Sequence, residues 1–183
     1  MSLKNKNMMK PDNIPEDSIQ VSDFDPNFRY EVMRNKDAQQ LSACFACGAC
    51  TAGCPIHEVF YEFDPRKLAK MVQLGMKNEV LHSPYIWYCA TCHNCEQRCP
   101  QNVKFFNVLN VLKNMAAQEG YAPYAWVIQT KNIMQTGIVF RTNKAWEEKR
   151  RSRSLPDLRF DGEKAKKIIE ISDLDKIKAK KRL

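Results

Sequence analysis

The chain is 183 residues long, 44% hydrophobic and 27% charged, with six glycines and nine prolines; this composition fits one globular domain with tails and excludes a fibrous or low-complexity chain. No run approaches the roughly 18–20 apolar residues of a membrane helix, and the lysines after Met1 lack the apolar core of a signal peptide, so the expectation is a cytoplasmic protein with no direct membrane insertion. Most of the formal charge of +8 lies at one end: residues 141–183 hold 15 Lys or Arg against 8 Asp or Glu, while residues 1–140 hold 14 against 13.

In chain order, residues 1–26 read as an irregular arm, 27–140 as the folded domain, and 141–183 as a basic helical extension. A first helix is expected after Asp25-Pro26, with Asp25 as N-cap and the proline in the first turn. Then comes Cys44-Phe-Ala-Cys47-Gly-Ala-Cys50-Thr-Ala-Gly-Cys54-Pro55. The pattern returns 45 residues on as Cys89-Ala-Thr-Cys92-His-Asn-Cys95-Glu-Gln-Arg-Cys99-Pro100, an internal repeat. Between the runs, Asp64 as cap, Pro65 in the first turn, a stripe at Leu68, Met71 and Val72, and Gly75 as stop predict a short helix. After the second run a longer helix is expected over Val103 to Glu119, with Val103, Phe106, Leu109, Leu112, Met115 and Ala116 on one face and Gly120 as stop. Another is expected over Tyr124–Thr136, with Trp126, Val127, Ile133 and Met134 inward and Gly137 as stop. Weaker helical patterns cover 143–152 and 162–172. Period-two alternation is scarce, so the fold class is mainly α. It is closer to an α-helical ferredoxin-like domain than to the small β-hairpin ferredoxins that share this cysteine spacing.

All eight cysteines lie in the two runs, and in a reducing compartment clustered thiols point to metal and not to disulfides. A [4Fe–4S] cube needs one thiolate per iron, and a tight Cys-x-x-Cys-x-x-Cys loop wraps three corners. In two-cluster ferredoxins the last cysteine of each run, the one before proline, ligates the other cluster. Carried onto this sequence, Cys44, Cys47, Cys50 and Cys99 hold one cluster, and Cys89, Cys92, Cys95 and Cys54 hold the second. Pro55 and Pro100 fix their own φ where the chain turns away. Two oxidised clusters, each about −2 with its thiolates, lower the net charge to roughly +4. A negative redox centre beside a basic tail suits docking on an acidic partner surface; the plainer reading is a solvated tail.

Rival readings use the same residues. Cys89-Ala-Thr-Cys92-His93 matches a c-type haem attachment pattern but leaves Cys95 and Cys99 unexplained. Zinc accepts four thiolates, yet seldom through two identical runs ending in proline. His93 reads as a neighbour of a cluster and not an iron ligand, its N–H a candidate donor to a cluster sulfur. Gly48 and Gly53 are read as allowing close backbone approach, with plain turn glycine as the alternative. Phe45, Ile56, Trp87 and Val103 flank the runs, as water shields or ordinary core. No Gly-x-Gly-x-x-Gly or Walker sequence is present, and no residue is assigned a catalytic role.

The two runs, the 45-residue repeat, the helical spacers, Ala116-Ala-Gln-Glu-Gly120 and Thr136-Gly137 together resemble the C subunit of heterodisulfide reductase over about residues 25–155. The resemblance implies a hetero-oligomer in which this chain passes electrons from a flavin-containing A-like subunit to a B-like subunit that reduces the disulfide. It implies two [4Fe–4S] clusters and no nucleic acid. The sequence departs from the methanogen pattern at Gly137-Ile-Val-Phe140 and in its basic tail, which leaves the substrate of the complex open. The cysteine motif is shared by iron–sulfur subunits of succinate and anaerobic glycerol-3-phosphate dehydrogenases, which is one alternative. Another is a zinc-stabilised nucleic-acid-binding module using Lys176, Lys178, Lys180, Lys181 and Arg182.

Overall fold

The computed structural model describes residues 20–140, 142–158 and 160–177. Most of the expected N-terminal arm and the end of the basic tail, from Lys178 to Arg182, lie outside them. Among the described residues there is no β-strand, and no helix is long and apolar enough to cross a membrane. Among the described residues ten α-helices follow one another: α1 (Phe28–Met33), α2 (Ala49–Ala52), α3 (Pro55–Val59), α4 (Pro65–Leu74), α5 (Lys77–Leu81), α6 (Asn94–Gln97), α7 (Phe105–Gln118), α8 (Tyr124–Thr136), α9 (Lys144–Arg151) and α10 (Gly162–Ile171). Longer 3₁₀ turns at Lys36–Ala43 and Pro84–Tyr88 lead into the two cysteine runs.

α4 forms as its sequence dictates. The Asp64 carboxylate accepts the Lys67 N–H at 3.0 Å, Pro65 opens the helix, and Gly75 ends it at φ 85°. A side chain at Gly75 would collide with the Asp25 carbonyl, while the Asp25 N–H donates to the Gly75 carbonyl at 2.8 Å. That clamp explains why α1 starts later than expected. Asp25 is tied backbone-to-backbone to the end of α4, its carboxylate accepts the Asn27 N–H at 2.9 Å, and Asn27 stands at the N-cap instead.

α7 is the central helix. It begins at Phe105 and not at Val103, because Asn102 and Lys104 adopt a left-handed φ of 51°. Its buried face is Phe105, Val108, Leu109, Val111, Leu112 and Ala116, at the three- and four-residue spacing of a helix facing a core. Phe28 and Val32 of α1, Leu41, Leu68 and Val72 of α4, Val80, Leu81 and Ile86 close around it. Fully burying one such side chain stabilises by roughly 1.5–3 kcal/mol. Met115 and the expected Phe106 are only partly covered.

A smaller cluster of Ala117, Ala122 and Val127 continues the core toward α8, against which α10 packs. Gly137 at φ 77° stops α8 as expected, and the Asp161 backbone passes close to it. Trp126, expected inward, is 52% exposed; its ring leans on Trp87, centroids 5.5 Å apart and planes tilted by 58°.

Asp64 also accepts the Thr51 hydroxyl at 2.6 Å. Burial opposes ionisation of this carboxyl, but the Thr51 hydroxyl and the Lys67 N–H outweigh it and hold its pKa below the usual range. A depressed carboxyl contributes stability above its unfolded pKa and loses it as pH falls through the folded one. Asp64→Ala should therefore lower stability by about 1–2 kcal/mol, the range for a lost N-cap. In thermal melts its deficit against wild type should shrink as pH drops below about 4, near the unperturbed Asp value.

Candidate iron–sulfur centre

Each cysteine run is a tight loop feeding a one-turn helix. In the first, Ala46 and Gly48 take φ of 57° and 88° before α2 begins. In the second, 45 residues on, Thr91 and His93 take 55° and 61° before α6 begins. The sequence repeat is thus a backbone repeat. Alternating left- and right-handed residues turn successive N–H groups to one side, forming the concave nest used at many iron–sulfur sites. Only Gly48 announces this in the sequence; Ala46, Thr91 and His93 adopt it at a steric cost.

Neighbouring elements hold the loops. Gln73 of α4 donates to the carbonyls of Leu41 and Cys44, at 3.1 and 2.9 Å. Thr51 of α2 accepts the Arg66 N–H at 2.9 Å while donating to Asp64. The runs also meet directly: Asn94 Nδ2 donates to the Gly53 carbonyl at 3.3 Å, and the Arg98 side chain occupies the space a Cβ on Gly53 would need. The close approach at Gly53 is therefore made by the other run's arginine.

Two adjoining cavities lie between the runs. Cys44, Cys47, Cys50 and Cys99 line one, with Arg66 on its rim and Val103 in its wall. Cys54, Cys89 and Cys92 line the other, with His93, Ile56 and Leu109. Cys95 borders both. Cys47 and Cys92, the central thiols of their loops, are exposed, and the other six are partly buried. Backbone N–H groups already donate to sulfur, Thr91 to Cys89 at 3.4 Å and Val103 to Cys99 at 3.3 Å. Among the described residues no three His, Cys, Asp or Glu converge as the donors of a single ion would; the thiols ring two volumes. Thiol donors, nest-forming backbone and N–H donors to sulfur fit a pair of [4Fe–4S] clusters.

Burial pushes the Cys95 thiol up to about 12, with negative charge at Cys89 adding to the rise, and burial also raises Cys50. Ligation must remove those protons, and metal binding supplies the free energy. Of the expected shields, Val103 is buried, Ile56 is partly covered, and Phe45 is 61% exposed at the first cavity's rim. Trp87 lines neither of these two cavities; it packs between the two core clusters, its indole N–H buried without a partner. His93 Nδ1 lies 3.0 Å from one Glu96 oxygen, and its ring leans on Phe106. The other Glu96 oxygen is buried and unpaired.

Sequence reasoning missed Arg66, Gln73, Thr51 and Lys113. Lys113 of α7 is 8% exposed, the one charged residue among the buried residues of that helix. Burial pulls its pKa down, against negative charge at Cys89, which favours the ammonium.

Residues 40–103 match the family described as a 4Fe-4S dicluster domain. The chain is 29% identical to the iron-sulfur C subunit of the CoB–CoM heterodisulfide reductase of Methanopyrus kandleri, over 89% of this chain and 92% of that protein. It is 32% identical to the second of the iron-sulfur C subunits (C 2) of the CoB–CoM heterodisulfide reductase of Methanocaldococcus jannaschii, over 75% and 77%. It is also 32% identical to a protein of Archaeoglobus profundus described as like the heterodisulfide reductase C subunit, over 80% and 76%.

The left-handed position at Ala46 can be tested in isolation. Ala46→Gly removes the steric penalty, offset by glycine's greater chain entropy, and should leave stability unchanged or raise it by up to about 1 kcal/mol. Ala46→Val should lower it by more than about 1 kcal/mol, read as thermal midpoint and iron retention. Equal behaviour of the two variants would show that the backbone here is unstrained.

Proposed function

Because the chain belongs to the family of heterodisulfide reductase C subunits, we propose that it is the non-catalytic electron-transfer subunit of a cytoplasmic heterodisulfide reductase-type complex. It accepts electrons from a flavin-containing A-like subunit and passes them to a B-like subunit that reduces the disulfide. Cys44, Cys47, Cys50 and Cys99 hold one [4Fe–4S] cluster, and Cys89, Cys92, Cys95 and Cys54 hold the other.

The observation that carries this reading is the pair of adjoining cavities, each bordered by the first three thiols of one run and the last thiol of the other. Clusters bound there would supply one-electron carriers. The protein's part is to hold and insulate. Val103 and Phe105 wall the first site, Phe105 and Leu109 the second, and the burial of all three keeps the space between the sites apolar. Cys95, bordering both, stands where an electron passes between them. The exposed Cys47 and Cys92 mark where each site comes nearest to a partner.

Anaerobically purified protein should contain about eight irons and eight acid-labile sulfides, two cubes of four. Zinc without labile sulfide would end the electron-transfer reading. Cys99→Ser should damage the cluster of Cys44, Cys47 and Cys50 although it lies in the other run, and spectra showing loss only at Cys89, Cys92 and Cys95 would overturn the crossed assignment. Co-purification with a subunit carrying Cys-Cys-Gly motifs supports the proposed complex, whereas a membrane quinone subunit would replace it.

A further inference from the structure

Lys113 is the single charged side chain buried among the described residues. It has no salt bridge: the cations paired within 4.0 Å of a carboxylate lie elsewhere. Taking an ammonium even partly out of water is unfavourable unless a counter-charge stands near it. Its place in the fold shows where that counter-charge comes from. Leu109, one turn earlier on α7, lines the cavity of Cys54, Cys89, Cys92 and Cys95. A helical side chain leans back over the turn that precedes it, so the Lys113 stem runs from its own turn toward Leu109 and that cavity. The 3₁₀ turn that delivers Cys89 packs on the same helix. In agreement, the ionisable group that favours the Lys113 ammonium is Cys89.

The first cavity has no equivalent. The position one repeat earlier, 45 residues before Lys113, is Leu68, apolar and 5% exposed. The cation on that rim, Arg66, is exposed, where water screens it. Near the second cavity Glu96 lies 3.0 Å from His93 Nδ1, and the exposed Arg98 side chain packs over Gly53, next to Cys54.

We propose that the ammonium of Lys113, on its largely buried side chain, is the counter-charge of the cluster held by Cys54, Cys89, Cys92 and Cys95, and that it raises that cluster's reduction potential without comparably raising the other's. The inference rests on the two-cluster reading above. A fixed positive charge favours the more negative, reduced form, and a partly desolvated one is screened less than one fully in water. Lys113 touches no reacting atom of a substrate; it is a positioning residue for charge. The electron itself comes from the reduced flavin of the A-like subunit, or from dithionite in the test.

The experiment is an EPR-monitored redox titration of the full chain with both clusters bound, for wild type, Lys113→Met and Lys113→Arg. Signals are assigned by which one Cys92→Ser alters. Met matches the stem without the charge, and replacing a buried ion by an apolar group of similar volume is often neutral for folding. The expected result is unchanged iron and sulfide in Lys113→Met, with the reduction equilibrium of the Cys92-dependent cluster weakened tenfold or more. For a one-electron couple tenfold is about 59 mV. The other cluster should move by less than about a third of that, and Lys113→Arg should stay near wild type. Unmoved midpoints in Lys113→Met, or equal shifts at both clusters, would overturn the proposal. If Lys113→Met loses a cluster, retention of both in Lys113→Arg supports it and loss in both variants overturns it. A wild-type protein without labile sulfide would instead sink the two-cluster reading itself, a distinguishable failure.

Discussion

The architecture answers one constraint: eight thiols from two stretches 45 residues apart must surround two adjoining cavities without closing on one another. Cys99 lies beside the thiols of the first run and Cys54 beside those of the second, so neither cavity is complete within one stretch of chain. Everything that fixes the approach of the runs follows from this. α2 and α6 meet through the Asn94 amide and the Arg98–Gly53 contact, and α4 reaches back to the first loop through Gln73 and Asp64. Such a fold stores its site in long-range contacts, and the loops by themselves hold few apolar side chains.

The core serves that approach. α7 leaves the second run and carries the apolar face on which α1, α5 and the 3₁₀ turns Lys36–Ala43 and Pro84–Tyr88 rest. Its first residues, Phe105 and Phe106, wall the second cavity, and Phe105 walls both. Packing and site are continuous along one helix, so disturbance of the core at Leu109 or Leu112 is transmitted to the thiols.

Much of this was legible in the sequence. The two runs and their repeat were plain, as were α4, marked by Asp64, Pro65 and Gly75, and α8, stopped by Gly137. Those signals are local, each a residue whose backbone or side chain fits one position only. What escaped was set by tertiary contacts. α1 began late because Asp25 is committed to Gly75, a partner 50 residues distant. Trp126 lies outside because α10 and the small cluster around Val127 cover another face of α8. The left-handed turns at Ala46, Thr91 and His93 carry no glycine to betray them. Lys113, set in Asn107-Val-Leu-Asn-Val-Leu-Lys-Asn, has the look of a solvated helix position, and only the tertiary packing around α7 covers it.

Two sites built from the same loop, the same left-handed turns and the same proline have no inherent arrow between them. A pair related by duplication is isotropic, and an electron would rest on either with equal ease. Directionality has to be written by residues that break the duplication. The exchange of Leu68 for Lys113 across the repeat, and of Gly48 for His93 within the loops, are therefore the places where the two halves of a symmetric pair come to differ.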